Sequence, residues 1–520
     1  MHLRRGIRNP NNLLRAATRL HPDMADQRTL DQLSRKKAFL VTIAVLSMSA
    51  TFWLAPEGRG QTSSGLPSAP SASGRAAAAQ NPFLGSAPEG KATTGVLSIS
   101  FREAIDRGLR NNFGLLLQDA NTVAARGQKW QELSKLLPNV TGATSENVAK
   151  INLAAEGFRF HGGAFAGIPT VVGPFGFFDS RLYFSQSVFD LSAFRRERAA
   201  AANEKAAQYS YKDARDLVVL AVGNAYLQAL AEAARVETAE AQVATAKALY
   251  DKTSDQQKAG VSPAIDALRA KVELQTRQQQ LIAVRNEYAK QKLALARVIG
   301  LPPGQEFILS DKAPYEPLAT MGLEEDLQRA YSSRADYLAA AQQVRAAENY
   351  RRAASAEHYP SIDISGNYGD SSITPGNPDV VYQAAATLRI PIFAGGKTHA
   401  DVLQAEAALR QARAQLENLR GQIDYDVRAA RLDLTAAADQ VEVARSSVDL
   451  ANQTLEQAKD RFSAGVADNL EVVQAQEAVA AANESYISSL YAHNLAKVEL
   501  ARAIGFAEEG VKQYLQSKQP

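Results

Sequence analysis

The sequence predicts a mainly α-helical protein with a small β part, built as two tandem copies of one elongated unit. Three observations predict this fold class: two runs of about 70 residues without a proline, landmark residues that recur at a constant spacing, and short stretches in which polar and apolar residues alternate. A chain of 520 residues is long enough for several globular domains, but the repeated landmarks favour an extended architecture.

The first 55 residues are predicted to be an N-terminal extension and signal peptide (1–55). Three basic residues, 35–37, precede an uncharged apolar run over 38–55, which is the pattern of a secretory signal. That run is also just long enough to span a bilayer, so an uncleaved anchor helix stays open as an alternative. The segment that follows, 56–95, is rich in Pro, Ser, Gly and Ala and is predicted to be a disordered tether.

Charge and composition exclude several classes of protein. Residues 1–37 hold nine basic and three acidic side chains, whereas the whole chain carries a net charge of +3, so the remainder is slightly acidic. A basic surface for nucleic acid is therefore not expected. The chain has no cysteine, which excludes disulfides, zinc–cysteine sites, iron–sulfur clusters and a lipid anchor on an N-terminal cysteine.

Two copies of one unit are predicted over 96–310 and 321–505, with a C-terminal tail over 506–520. Landmark residues of the first copy return 205 positions later in the same order: Gly260 with Gly465, Arg297 with Arg502, and Gly300 with Gly505. Alanine-rich helices resemble one another by composition alone, but composition does not place such landmarks at one spacing.

Each copy is predicted to run from a helix through two strands to a long helix and then a shorter one. The helices are expected over 101–137, 190–259 and 264–300 in the first copy, and over 323–358, 397–464 and 466–504 in the second. A long run spans roughly 100 Å and a short one roughly 55 Å, so two short helices end to end match one long helix. This predicts rod-like, α-helical coiled-coil hairpins.

The strands are expected within 139–189 and within 361–393. In the second stretch Ile362 and Ile364 alternate with Asp363, which is typical of a transmembrane barrel strand. A two-sided soluble sheet alternates in the same way, so that alternative stays open. Two strands per copy give four per chain, too few to close a barrel, and a membrane location therefore requires several chains.

These landmarks together resemble the TolC-like outer membrane efflux protein family. The features that carry the resemblance are the two-copy plan, the strand exits at Val188-Phe189 and Ile392-Phe393, and the A-G-V turns followed by helices that end in A-R-x-I-G. The resemblance implies a homotrimer in which each copy of the unit contributes two strands to a 12-strand transmembrane β-barrel. It also implies a location in the cell outer membrane, with a periplasmic helical tunnel.

The resemblance further implies a function and partners. Such proteins are exit ducts of tripartite efflux pumps or type I secretion systems, and they conduct substrates passively from the periplasm to the outside. The expected partners are a periplasmic adaptor (membrane fusion) protein, an inner membrane RND or ABC transporter, and outer membrane lipid. A periplasmic coiled-coil scaffold or adaptor protein anchored by residues 38–55 is the alternative.

Two kinds of site follow from the resemblance. The periplasmic tips that dock the adaptor are expected at two turns: Gly260-Val261 and Gly465-Val466. The pore gate is expected to contain three residues: Glu471, Gln474 and Asp266. Three copies of Glu471 would concentrate cations at the pore mouth, while Gln474 departs from the doubly acidic pattern of the family.

No catalytic site is expected. The six histidines stand in unrelated contexts without metal-ligand spacing, and the sequence has no phosphate-binding glycine loop or nucleophile-elbow motif. We therefore expect no enzyme activity, no cofactor and no bound metal.

Overall fold

A computed structural model describes residues 81–88, 90–157, 169–311, 315–318, 322–373 and 379–514. The predicted leader, 1–55, and the first part of the predicted tether, 56–80, lie outside the described residues. All described residues belong to one unit, Ala78–Pro520.

Long helices and short strands make up the described residues. The helices are α1 (Phe101–Asn111), α2 (Phe113–Ser134), α3 (Leu191–Lys258), α4 (Ala264–Ile299), α5 (Leu323–Ser333), α6 (Ala335–Ala356), α7 (Lys397–Ser463), α8 (Asn469–Ala503) and α9 (Ala507–Tyr514). The strands are β1 (Leu97–Ile99), β2 (Asn139–Asn152), β3 (Val171–Phe189), β4 (Phe307–Leu309), β5 (Ser361–Ser372) and β6 (Val380–Arg389). The long helices begin and end within a few residues of the predicted positions.

The long helices α3 and α7 organise a wall of helices. Helices α2 and α4 both pack along α3, helices α6 and α8 both pack along α7, and α3 also packs against α6 and α8. At 1.5 Å per residue, the 68 residues of α3 extend over roughly 100 Å. One edge of the wall is therefore formed by α2 and α4, and the other edge by α7.

Two helices that the sequence predicts as continuous are broken. The predicted helix over 101–137 stops at Asn112, which is fully buried; its side-chain oxygen accepts a hydrogen bond from the Gly114 amide at 2.9 Å, and its Nδ2 donates to the Phe83 carbonyl at 2.7 Å. The predicted helix over 323–358 stops at Arg334, whose guanidinium binds Asp336 at 2.7 Å and Asp426 at 3.0 Å. Asn112 caps α2 with its side chain, whereas Arg334 makes no side-chain capping bond and is held at the break by its ion pairs.

The end of the predicted tether is bound to the helices. The Phe113 amide donates to the Gly85 carbonyl at 3.0 Å, and the Ala87 amide donates to the Asn111 carbonyl at 2.9 Å. A Cβ at Gly114 would lie 2.5 Å from a ring carbon of Phe83, so only glycine leaves room for this ring. The expectation of disorder over 56–95 is therefore wrong for this part of it.

The largest apolar cluster lies where α1, α3, α4, α8 and α9 meet. Val218, Val222 and Tyr226 of α3 are fully buried there, and a Cβ at Gly108 would lie 2.5 Å from Val222, so the glycine permits close approach of α1 and α3. Helix α3 also contains, among the described residues, an 18-residue stretch apolar enough to cross a membrane, of which 56% is buried. Because most of it is covered by neighbouring helices, the stretch is a core segment.

The C-terminal segment also packs on this cluster. Helix α9 buries Ala507 and Val511, and Arg215 of α3 forms two hydrogen bonds with the Glu508 carboxylate, at 2.7 and 2.9 Å. The predicted tail over 506–520 thus contains a helix that closes the core.

Four antiparallel strands form one sheet in the order β2-β3-β5-β6. The chain enters β2 and β5 from α2 and α6 and leaves β3 and β6 into α3 and α7, so these four helices join the sheet at one end. In the half nearer the helices, the register places apolar side chains on one face, with Gln186 as an exception: Val140, Leu182, Phe184, Ile362, Ile364, Tyr368, Tyr382 and Leu388. The other face is mostly polar, with Tyr183 and Ala385 as exceptions: Thr141, Ser185, Asp363, Ser365, Asn367, Gln383 and Thr387.

The candidate pore entrance and docking tips

The two predicted tips have the same backbone geometry. Gly260 lies two residues past the end of α3 and Gly465 two residues past the end of α7, each at φ 73° in the left-handed region. At each turn the glycine amide bonds the carbonyl three residues before it, and the following valine amide bonds the carbonyl five residues before itself, at 2.9 to 3.1 Å. This is the Schellman arrangement, which satisfies the last carbonyls of a helix and requires a residue without a Cβ penalty.

The tips expose apolar side chains. Val261 and Val466, which follow the two glycines, are 74% and 70% exposed. Ile265 and Leu470, in the first turns of α4 and α8, are 51% and 44% exposed. Four exposed apolar residues in two adjacent turns form a surface suited to contact with another protein.

The predicted gate residues lie in the first turns of α4 and α8 and have different surroundings. The carboxylate of Asp266 accepts a hydrogen bond from the Ser262 hydroxyl at 3.1 Å, while its backbone carbonyl accepts one from Asn469 Nδ2 at 3.1 Å. Glu471 forms an ion pair with Arg461 Nε at 3.1 Å, and Gln474 is exposed one turn further along α8. Asp266 therefore contacts the second hairpin through its main-chain carbonyl and not through its carboxylate.

Sequence reasoning missed two residues of this region, Arg461 and Asn469. Arg461 lies in the last turn of α7, where a basic residue is favoured, and faces an acid in the first turn of α8, so the charge pattern across the turn was an available signal. Asn469 is fully buried and its role depends on a carbonyl 203 residues earlier in the chain. No local pattern indicates that contact.

An apolar cluster above the tips joins the two hairpins. It combines residues of four helices: Leu249 of α3, Ala270 of α4, Leu455 and Ala458 of α7, and Val472 and Ala475 of α8. Lys252 lies over the Phe462 ring, with Nζ 5.3 Å from the ring centroid. These contacts hold the hairpins together next to the Asn469 hydrogen bond.

Two buried ionisable residues lie elsewhere on α8. His493 is fully buried against the Tyr315 ring, at 5.2 Å between centroids, and Lys497 is 1% exposed. Burial lowers the pKa of His493 to about 4 and the pKa of Lys497 to about 8. Neither ring nitrogen of His493 has a hydrogen-bond partner among the described residues, so the histidine is an uncharged packing residue at neutral pH and has no paired catalytic group there.

Comparisons with known proteins agree with this architecture. A family model described as "Outer membrane efflux protein" matches residues 104–301 and 327–506. The outer membrane protein TolC of Vibrio cholerae is 23% identical over 333 residues, which are 63% of this chain and 76% of that protein.

Solved structures match over most of the chain. A membrane protein from Pseudomonas aeruginosa superposes with a TM-score of 0.68 at 21% identity, covering 81% of this chain and 98% of the other. The Campylobacter jejuni CmeC outer membrane channel gives a TM-score of 0.66 at 18% identity, covering 84% and 94%.

The fold and the two matched stretches define a channel-forming class of membrane protein. The chain belongs to the outer membrane efflux protein family, since the family model matches well over half of the length of this chain. The predicted resemblance and the predicted location in the outer membrane are confirmed. Members of this family are channels, and a catalytic role is not a family property.

We predict that Asn469→Ala loosens the tips. The substitution removes the side-chain bond to Asp266, a change worth about 1 kcal/mol. Hydrogen exchange of the amides at 261–267 and 466–471 should become faster. Asn483→Ala is the matched control, because Asn483 Nδ2 bonds the Val479 carbonyl within α8 itself. Equal exchange at the tips in both variants would contradict a bridging role for Asn469.

Proposed function

We propose that three copies of this chain assemble into an outer membrane channel, the exit duct of a tripartite efflux pump or type I secretion system. The observation that carries the proposal is the four-stranded sheet, which has an apolar face, a polar face and two edge strands, β2 and β6, without a partner among the described residues. Unpaired backbone groups are costly in hydrocarbon, and a closed barrel removes them.

The strand directions permit closure by identical copies. Strand β2 runs away from the helices and β6 runs toward them. Strand β6 of one copy can therefore pair antiparallel with β2 of the next, and three copies give 12 strands in a continuous antiparallel ring. The apolar face would contact lipid and the polar face would line the lumen.

Exposed apolar residues at the edges of the helical wall support the same assembly. On α7, four large side chains recur on one side of the helix and are 61% to 71% exposed: Tyr425, Leu432, Val443 and Leu450. On α4, a heptad pattern of exposed residues is equally uncovered: Ile265, Leu268, Val272, Ile282 and Leu293. A neighbouring copy that brings its α4 edge to the α7 edge would bury both rows.

We predict that Leu432→Lys prevents assembly. The ammonium group would have to be buried between copies at the α7 edge, so the protein should run as a monomer in native mass spectrometry and should form no pores in planar bilayers. Leu432→Met keeps an apolar side chain of similar volume and should retain trimers and pores. A lysine variant that remains trimeric would contradict this interface.

Two measurements on the wild-type protein distinguish the channel from the alternative, a periplasmic scaffold anchored by residues 38–55. A channel fractionates with outer membranes and conducts ions in planar bilayers, whereas a scaffold does neither. The scaffold offers no role for a sheet that exposes Leu182, Tyr368 and Tyr382 on one face.

As an exit duct, the protein conducts passively, and its partners supply the energy. The proposed partners are a periplasmic adaptor protein at the tips and an inner membrane RND or ABC transporter beyond it. The exposed Val261 and Val466 beside the two glycine turns are the surface for the adaptor. Apolar residues framed by polar helix ends are typical of such contacts.

We predict that Gly465→Trp blocks adaptor docking, because the indole would cover the apolar tip. Adaptor crosslinking and efflux should both be lost. Gly465→Ala is the control. It carries the same penalty of about 1–2 kcal/mol for a side chain at positive φ, and no atom lies within 4 Å of its Cβ, so it tests the backbone strain without covering the tip. The alanine variant should keep both activities, and unchanged crosslinking in the tryptophan variant would rule out docking here.

Glu471, Gln474 and Asp266 are proposed to surround the pore entrance in the assembled channel. Because Glu471 is paired with Arg461, the charge at the entrance is set by both residues. We predict that Glu471→Ala lowers cation selectivity in single-channel recordings by roughly twofold, since it leaves three arginines uncompensated.

Removing Arg461, the ion-pair partner of Glu471, should change the selectivity in the opposite direction. Arg461→Ala should raise cation selectivity by a similar factor, because the Glu471 carboxylate is then uncompensated. Permeability ratios that stay at the wild-type value in both variants would place the pair away from the conduction path.

A further inference from the structure

The helices next to the sheet have two faces with different chemistry. On one face, Arg196 of α3 binds Glu357, just past the end of α6, and Glu357 also binds Lys397 at 3.2 Å. One heptad away, Asn203 of α3 and Tyr350 of α6 form a hydrogen bond at 3.4 Å. Residues seven apart lie on the same side of a helix, so these contacts mark one face of the wall.

The opposite face carries two arginines. Arg198 is two residues from Arg196, and Arg352 is two residues from Tyr350; a two-residue step turns a helix by about 200°. Both arginines are exposed, and neither forms an ion pair with an acid among the described residues. Phe194, 40% exposed, lies on the same side as Arg198, whose Cζ is 4.9 Å from the centroid of its ring.

These residues are close to the ends of the strands. Arg198 lies seven residues into α3, and Arg352 lies four residues before the end of α6, which places both within roughly 10–12 Å of the sheet along the helix axes. The polar headgroup zone of a bilayer adds about 5–8 Å to each side of the hydrocarbon core. A long arginine side chain with an apolar stem can extend from this position into the headgroups.

Basic residues also outnumber acidic ones in the segments that flank the strands. The ten residues that precede β2 and β5 and the ten that follow β3 and β6 contain eight Lys or Arg and four Asp or Glu. The chain beyond its first 37 residues is slightly acidic overall. Positive charge is therefore concentrated where the helices meet the sheet.

We propose that Phe194, Arg198 and Arg352 form a binding site for the phosphate of an anionic membrane phospholipid at the base of the sheet. The proposal rests on the proposed channel, in which the sheet spans the membrane. The two guanidinium groups would bind phosphate oxygens, as arginine forks do, and the Phe194 ring would lie at the interface, where aromatic side chains are favoured. Three copies would fix the height of the channel in the bilayer and resist tilting.

The test uses the full chain in detergent and native mass spectrometry, with phosphatidylglycerol as the probe. We expect Arg198→Gln/Arg352→Gln to weaken phosphatidylglycerol binding roughly thirtyfold, since each basic residue near a lipid surface contributes about a fivefold change in affinity. The matched control is Lys205→Gln/Arg345→Gln, which removes the same charge from the same sides of α3 and α6 but one heptad further from the sheet. The control should bind like the wild type.

Three outcomes would overturn the proposal. Equal loss of binding in both double variants would mean that only net charge matters. Phosphatidylcholine binding as tightly as phosphatidylglycerol would exclude an anionic headgroup, and displacement by excess inorganic phosphate would identify a site for free phosphate. The channel proposal is tested separately on the same preparations, by measuring trimers and planar-bilayer pores. Both should be retained in the two double variants.

Discussion

A wall of helices that is one layer deep over most of its length cannot bury its apolar residues by itself, and this constraint governs the protein. Within the wall, alanines on α3, α6, α7 and α8 allow close approach; every buried residue of α6 is an alanine, and most buried residues of α3 are small. Large buried side chains gather in clusters: one at the junction around Val222 and Tyr226, where α1, α4, α8 and α9 add further layers, one around Ile423 and Val427 of α7, and the one above the tips. Large apolar residues such as Leu432 and Val443 stay exposed at the edge, where the proposed neighbouring copy would cover them.

At the two tips the constraint concerns the backbone carbonyls at the ends of the long helices, which need hydrogen-bond partners. Each ends a long helix with the same glycine-dependent turn, so the backbone there is rigid and its carbonyls are satisfied. Near the tips the hairpins contact each other, by contrast, through one Asn469 hydrogen bond, a small apolar cluster and the Lys252 ammonium over the Phe462 ring. Rigid turns joined by few contacts can move relative to one another at low cost, as the proposed pore gate would require.

The sheet and the helical wall meet at a single level of the molecule. All four strands join helices at a single end, so the boundary between membrane and periplasm in the proposed channel falls at one level of the molecule. At that level the ion pairs of Glu357 lie on one face, and the other face carries Arg198 and Arg352, which form no ion pair within the described part of the chain. A difference between the faces of one wall is expected where one face meets a lumen and the other meets lipid headgroups.

The sequence by itself determined the features that depend on local backbone chemistry and periodicity. The bounds of α3, α4 and α7, the turns at Gly260 and Gly465, and the alternation in β5 follow from side-chain spacing and from the preference of glycine for positive φ. Only the tertiary structure decided the helix breaks at Asn112 and Arg334, the binding of the segment around Phe83, and the partners of Asp266 and Glu471. A polar side chain can cap, break or pair a helix in many ways, and its choice is set by groups that folding brings from distant parts of the chain.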